Sequence, residues 1–177
     1  MKKIMDKSSM EKTLSRLAHE VIEKNENLDD VAMVGIRSRG DFIAYRVASK
    51  IESISGKKIL TGAIDITFYR DDVELKMPKA AQPTDIKFDV NGKNIILVDD
   101  VLFTGRSTRA AMDALLDIGR PKKIQLLVLI DRGHKQLPIH ADYVGKNIPT
   151  SLKEVVELKV SECDGEDSVT IKEEGLP

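Results

Sequence analysis

An apolar run, two adjacent carboxylates and a hydroxyl-rich turn around one glycine follow each other without a break in IILVDDVLFTGRST, residues 95–108. No other feature constrains the fold as strongly. The apolar run suits a strand buried on both faces. A helix predicted over 107–118 closes at Gly119, with Pro121 just beyond. Between strand and helix, Gly105 permits a positive φ and a close backbone approach. The amides of Gly105 to Thr108 then lie at a helix N-terminus, where orphan N–H groups and the helix dipole favour a phosphate. The hydroxyls of Thr104, Ser107 and Thr108 add donors. Asp99 and Asp100 would repel a second anion, so they suit hydrogen bonds from ribose hydroxyls. They stand at a strand's carboxyl end, where open α/β sheets bind ligands. The chain contains neither GxxxxGK[ST] nor GxGxxG, which excludes a triphosphate P-loop and disfavours a dinucleotide fold. The plain alternative is a strand-to-helix turn in which Asp and Thr only cap.

The rest of the chain alternates in the same way. Ser8 to Glu11 reads as a capping box opening a helix over about 8–25, with Met10, Leu14, Leu17, Val21 and Ile22 on its apolar stripe. Residues 31–36 read as a buried strand that runs into Arg37, Ser38, Arg39 and Gly40, and 41–52 as a helix stopping near Gly56. Residues 59–69 read as a strand. The polar stretch 70–84, with Pro78 and Pro83, is long for a loop and has the character of a lid. Residues 86–90 and 94–98 flank Asn91-Gly92, a hairpin signal. Further strands are expected at 124–130, 143–144 and 152–160, and the acidic tail from Glu162 as an edge element or disorder. Strands alternating with helices predict one α/β domain over 1–177, a mainly parallel sheet with helices on both faces.

Net charge is −1, so any nucleic-acid contact must come from a local basic patch. Tryptophan is absent and aromatics are 4%, which argues against base-stacking modules. One cysteine, Cys163, permits no intrachain disulfide and fits a reducing cytoplasm. No apolar run approaches the roughly 18 residues of a membrane span, and no signal-peptide core is expected in MKKIMDKSSMEK. No cluster has the spacing of a protein metal site.

Residues 95–107 resemble the phosphoribosyl pyrophosphate (PRPP) signature of type I phosphoribosyltransferases. The likeness extends to VGIRSRG (34–40), DITFYRDD (65–72), DRGH (131–134) and ADYVGKNIPTS (141–151). Together these resemble the family of bifunctional pyrimidine-operon attenuation regulators and uracil phosphoribosyltransferases, over about 11–160. The resemblance implies the type I phosphoribosyltransferase fold with a small hood and a flexible loop over about 70–84. It implies transfer of ribose 5-phosphate from PRPP to uracil, giving UMP and diphosphate. Arg37, Ser38, Arg39 and Gly40 would hold the diphosphate. Val101, Leu102, Phe103, Thr104, Gly105, Arg106, Ser107 and Thr108 would hold the 5-phosphate end. Asp99, Asp100, Arg37 and Arg70 would carry the chemistry. Asp131 and Arg132 would border the pyrimidine, Arg132 taking either a uracil carbonyl or the leaving group. Magnesium would arrive with PRPP.

The same resemblance implies UMP-dependent binding to the leader of pyrimidine messenger RNA. Matching positions are Ser15, Arg16, His19 and Lys24 on the first helix and Lys135, His140 and Lys146 further on. Arginine is usual in the family at His140, and frequent at Lys24 and Lys135. Lysine keeps the charge but not the planar fork, and a histidine is mostly neutral at pH 7 unless perturbed. A salvage enzyme without the RNA role is the alternative. A homo-oligomer, dimer or hexamer, is expected by resemblance.

Overall fold

The structure, a computed structural model, describes residues 1–71 and 84–173. Most of the expected lid, Asp72 included, and the last residues of the acidic tail lie outside the described residues. The element order is β1 (Lys2–Met5), α1 (Lys7–Lys24), a 3-10 turn (Leu28–Asp30), β2 (Val31–Ile36), α2 (Gly40–Ser55) and β3 (Leu60–Ile64). Then follow β4 (Asn94–Leu102), α3 (Arg106–Ile118), β5 (Lys123–Asp131), β6 (Tyr143–Asn147), β7 (Glu154–Lys159), α4 (Ser161–Asp164) and β8 (Ser168–Glu173).

Five strands form one sheet in the order β3-β2-β4-β5-β6, every neighbour parallel. Alternation along each strand sorts the side chains into two cores. Met33, Ile96, Val98, Leu127 and Leu129 face α1 and α2. Ala32, Val34, Ile95, Leu97 and Val128 face Ala110, Ala111, Ala114 and Leu115 of α3. Helices therefore cover both faces, as a parallel sheet requires.

The helix ends show how local chemistry sets the boundaries. Asp6, not Ser8, caps α1: its carboxylate accepts the Ser9 N–H at 2.8 Å, which places Ser8 inside the first turn and overturns the capping box. Gly56 closes α2 at φ 71, its N–H donating to the Glu52 carbonyl at 2.8 Å.

Three further expectations fail. The strand over 59–69 ends at Ile64, and residues 67–69 form a turn. Asn91-Gly92 does turn, with Gly92 at φ 71, but makes no hairpin. Both edges of β4 are taken by parallel neighbours, so 86–90 has no strand to pair with there; Val90 is buried in the α3-side core instead. The acidic tail is ordered up to Glu173. There β8 is no edge element but sits between β1 and β7 in a three-stranded antiparallel sheet. Its carboxylates are paired: Asp164 with Arg39, Glu162 and Asp167 with Arg46, Glu166 with Lys159.

Two glycines decide how α2 meets the sheet. A Cβ on Gly35 would stand 2.2 Å from the Asp41 Cα, and one on Gly40 2.3 Å from the Val98 carbonyl oxygen. Both obstacles are backbone, so neither can rotate away. Gly35→Ala is expected to lower unfolding stability by about 1–3 kcal/mol through overpacking. Chemical denaturation checks this, and an unchanged midpoint contradicts the packing.

Candidate active site

The chain leaves β2 toward β3 on one side and later returns to add β4, β5 and β6 on the other. The order therefore reverses between β2 and β4, the crevice where such sheets take ligands. The carboxyl ends of those two strands carry Arg37-Ser38 and Asp99-Asp100. A cavity of ≈320 Å³ opens there, lined by both pairs together with Asp65, Thr67, Arg70 and Ser107. A second, of ≈300 Å³, runs along Leu102, Phe103, Thr104, Gly105 and Thr108. Arg70, Asp99, Val101 and Ser107 line both.

Asp99 is 8% exposed and accepts the Asp100 N–H at 2.9 Å; the Asp100 carboxylate accepts the Val101 N–H at 2.7 Å. Burial pushes the Asp99 carboxyl well above the usual carboxylate range, and the neighbouring Asp100 charge adds to it, while Arg70 pulls it back. Burial also raises Asp100, against its hydrogen bonds and the nearby Arg39 charge. Without a cation or ligand, the pair resists carrying two charges.

The turn after β4 is built for close approach. Gly105 caps α3 at φ 91 with no side chain on the helix end. The Thr104 hydroxyl accepts the Arg106 N–H at 3.3 Å, and the Thr104 carbonyl accepts the Gln136 N–H at 2.9 Å. Arg106 turns outward, its Nε donating to Gln136 at 3.0 Å.

The diphosphate-loop residues divide. Arg37 lines the cavity, lies 3.6 Å from the buried Asp41 carboxylate, and is joined to Ser38 by a cis peptide bond. Arg39 is instead fixed on α4, its Nε and Nη2 each donating to Asp164 at 2.9 Å. The Arg39 guanidinium holds the Asp164 carboxyl well below the usual range. Gly40 begins α2 against the Val98 carbonyl.

Asp131 ends β5 and is ion-paired with Lys135 at 2.8 Å, so that lysine is engaged beside the site. Arg132 is 6% exposed. It stacks 4.0 Å over the Phe103 ring and donates to the Thr150 hydroxyl and to the carbonyls of Ser151 and Glu154. It thereby ties the end of β5 to the start of β7. Neither Asp131 nor Arg132 lines the two cavities. Asp65 and Thr67 do, and were left out of the expected site. The available signal was position: Asp65 follows β3 as Arg37 follows β2. Among the described residues no group of three or more His, Cys, Asp or Glu is placed to hold a metal ion.

The expected basic residues on α1 lie beside the edge strand β6. Arg16 pairs with Glu20 and donates to the Val144 and Gly145 carbonyls. Lys24 donates to the Asp142 carbonyl at 3.0 Å and sits 4.8 Å over the Tyr143 ring. Gly145 allows this packing, since a Cβ there would meet Thr13 at 2.9 Å. Ser15 is half-buried, whereas His19, His140 and Lys146 are exposed.

Comparison with known proteins agrees with this geometry. A family profile described as "Phosphoribosyl transferase domain" matches residues 1–162. "Bifunctional protein PyrR" of Clostridioides difficile is 53% identical over 96% of this chain and 97% of its own length. The protein of that name from Halalkalibacterium halodurans is 51% identical over 96% of each. Among solved structures, a hypoxanthine phosphoribosyltransferase of Trypanosoma cruzi superposes with a TM-score of 0.74 at 14% identity, over 98% of this chain and 97% of that one. A hypoxanthine-guanine phosphoribosyltransferase of Bacillus anthracis gives 0.63 at 18%, over 84% and 85%. At such identities these likenesses speak for the fold alone. No described helix is long and apolar enough to cross a membrane. With a family profile over most of its length and relatives sharing half of its residues, the chain belongs to the phosphoribosyl transferase family, in the group named Bifunctional protein PyrR.

Proposed function

We propose that this chain transfers ribose 5-phosphate from PRPP to uracil, and that the UMP-bound pocket favours binding of pyrimidine-operon leader RNA. The observation that carries the proposal is the juxtaposition of Arg37-Ser38, Asp99-Asp100 and the Thr104–Thr108 turn around two cavities that share Arg70 and Asp99. The turn takes the 5-phosphate on its amides and hydroxyls. Asp99 and Asp100 accept hydrogen bonds from the ribose hydroxyls, which sets the anomeric carbon between the two loops. Arg37 and the Ser38 loop take the diphosphate. As the anomeric C–O bond breaks, its electron pair leaves on the diphosphate, where Arg37 and Arg70 offset the growing charge. The uracil N1 forms the new bond to the anomeric carbon, and its proton passes to the departing diphosphate. Positioning of the two substrates accounts for the rest.

A buried carboxylate, Asp99, next to the half-buried Asp100 suits a hard cation that keeps phosphate oxygens and waters as its other ligands. Mg²⁺ carried in by PRPP would be held beside Asp99 and Asp100, where it supplies charge neutralisation for the leaving diphosphate. Asp131, Lys135 and Arg132 shape the ground next to this centre; Arg132 acts by holding Phe103 and residues 150–154 in place.

RNA contacts are assigned to the α1–β6 edge, through Ser15, Arg16, His19, Lys24, His140 and Lys146, together with Lys135 after β5. Arg16 and Lys24 fix the helix to the strand as well, so their removal changes the surface and not only its charge. A salvage enzyme without the RNA role is the second reading. It is favoured by the ion pair that engages Lys135 and by histidine at position 140. On this reading the protein works in the cytoplasm as a homo-oligomer, dimer or hexamer.

Asp99→Asn with Asp100→Asn is expected to abolish UMP formation from uracil and PRPP while leaving the circular-dichroism melting transition cooperative. Turnover equal to that of the parent chain contradicts the site. The raised Asp99 pKa has a second consequence. A carboxyl with a folded pKa above its unfolded one contributes stability at low pH that is lost as pH rises through the folded value. Asp99→Asn alone is therefore expected to raise the melting temperature of the ligand-free chain at about pH 8 and to change it little at about pH 4. Equal shifts at both pH values contradict burial of the charge.

A further inference from the structure

We infer that Arg109, outside the phosphate turn and its cavities, is a positioning residue that sets Arg70 between the carboxylate pair and the phosphate turn. The inference rests on the transferase reading above. Arg70 is flanked by two residues that α3 grips. Arg109 Nη2 donates to the Tyr69 carbonyl at 3.1 Å and lies 3.5 Å from the Asp71 carboxylate. The Tyr69 hydroxyl donates to Asp117 at 2.7 Å, and Arg106 Nη1 reaches Asp71 at 3.4 Å. Arg109 is itself oriented by Asp113 one turn on. Residues 69 and 71 are thus held against one face of α3, while Arg70 between them lines both cavities.

The helix that presents the phosphate turn at its first residues thereby also holds the segment that bears Arg70. Phosphate turn and arginine are placed by one rigid element, which fixes their spacing. Only a planar guanidinium reaches the Tyr69 carbonyl, Asp71 and Asp113 together; a lysine ammonium is a single point charge. Arg109 touches no reacting atom in this account. Its effect on turnover passes through Arg70.

A double-mutant cycle tests this, because residues acting through one another are non-additive. Arg109→Met is expected to lower kcat/KM for PRPP by about tenfold, with the KM for uracil unchanged. Arg109→Lys recovers part of the loss. In an Arg70→Ala background the same Arg109→Met change is expected to cost less than about twofold. Tyr69→Phe, which removes one hydroxyl from the second anchor, keeps the test open should Arg109→Met unfold. It is expected to cost about threefold in the parent chain and nothing in Arg70→Ala. Equal losses with and without Arg70, or unchanged kcat/KM in every single variant, overturn the inference. A parent chain that forms no UMP sinks the transferase reading and this inference together, whereas additive losses on an active parent chain sink the inference alone.

Discussion

Contact between backbones at the start of α2 sets up everything else in the molecule. Gly35 and Gly40 carry no Cβ, so the first turn of α2 drops onto β2 and against the Val98 carbonyl. That seat brings the Arg37 loop, at the end of β2, beside Asp99, at the end of β4. The parallel register of the two strands, with Gly35 opposite Val98, holds the arrangement from below. Crowding of backbone on backbone cannot relax by rotamer changes, so the separation of the two loops is a property of the fold.

Onto this frame the sequence adds groups that are unfavourable without a ligand. The buried Asp99 beside the half-buried Asp100, and a helix N-terminus with a glycine cap, both await charge from outside. The pocket is therefore stabilised most by a molecule carrying phosphate at one end and ribose hydroxyls in the middle. On the proposed reading, a nucleotide that fills the pocket supplies the missing charge to both loops, which is what a sensor of that nucleotide requires. The antiparallel sheet of β1, β8 and β7 is linked to the loop after β2 through Arg39 and Asp164, and to α2 through Arg46 with Glu162 and Asp167.

Much of this was legible in the sequence because the signals are local. The run 95–108 reads as strand, carboxylates, turn and helix since each part depends on its neighbours in the chain. What was missed depends on distant partners. Asn91-Gly92 signals a turn locally, and a turn forms, but the expected hairpin does not, because β4 pairs with β2 and β5. The acidic tail reads as an edge element or disorder because its charges find Arg39, Arg46 and Lys159 only in three dimensions. Arg39 and Arg132 also find partners that only the fold supplies, Asp164 and the 150–154 segment. Asp65 and Thr67 reach the cavity because β3 lies beside β2; their place after a strand is legible in the sequence, but that adjacency is not.

The central claim is that one pocket serves both transfer and nucleotide sensing. Its most direct test is binding of a pyrimidine-operon leader RNA across a salt series, with and without UMP, for the parent chain and for Lys146→Ala. The account predicts binding that UMP strengthens by about tenfold or more, and a shallower salt slope for Lys146→Ala, since one lost phosphate contact lowers the slope by about one. RNA affinity unmoved by UMP in a chain that makes UMP would contradict it.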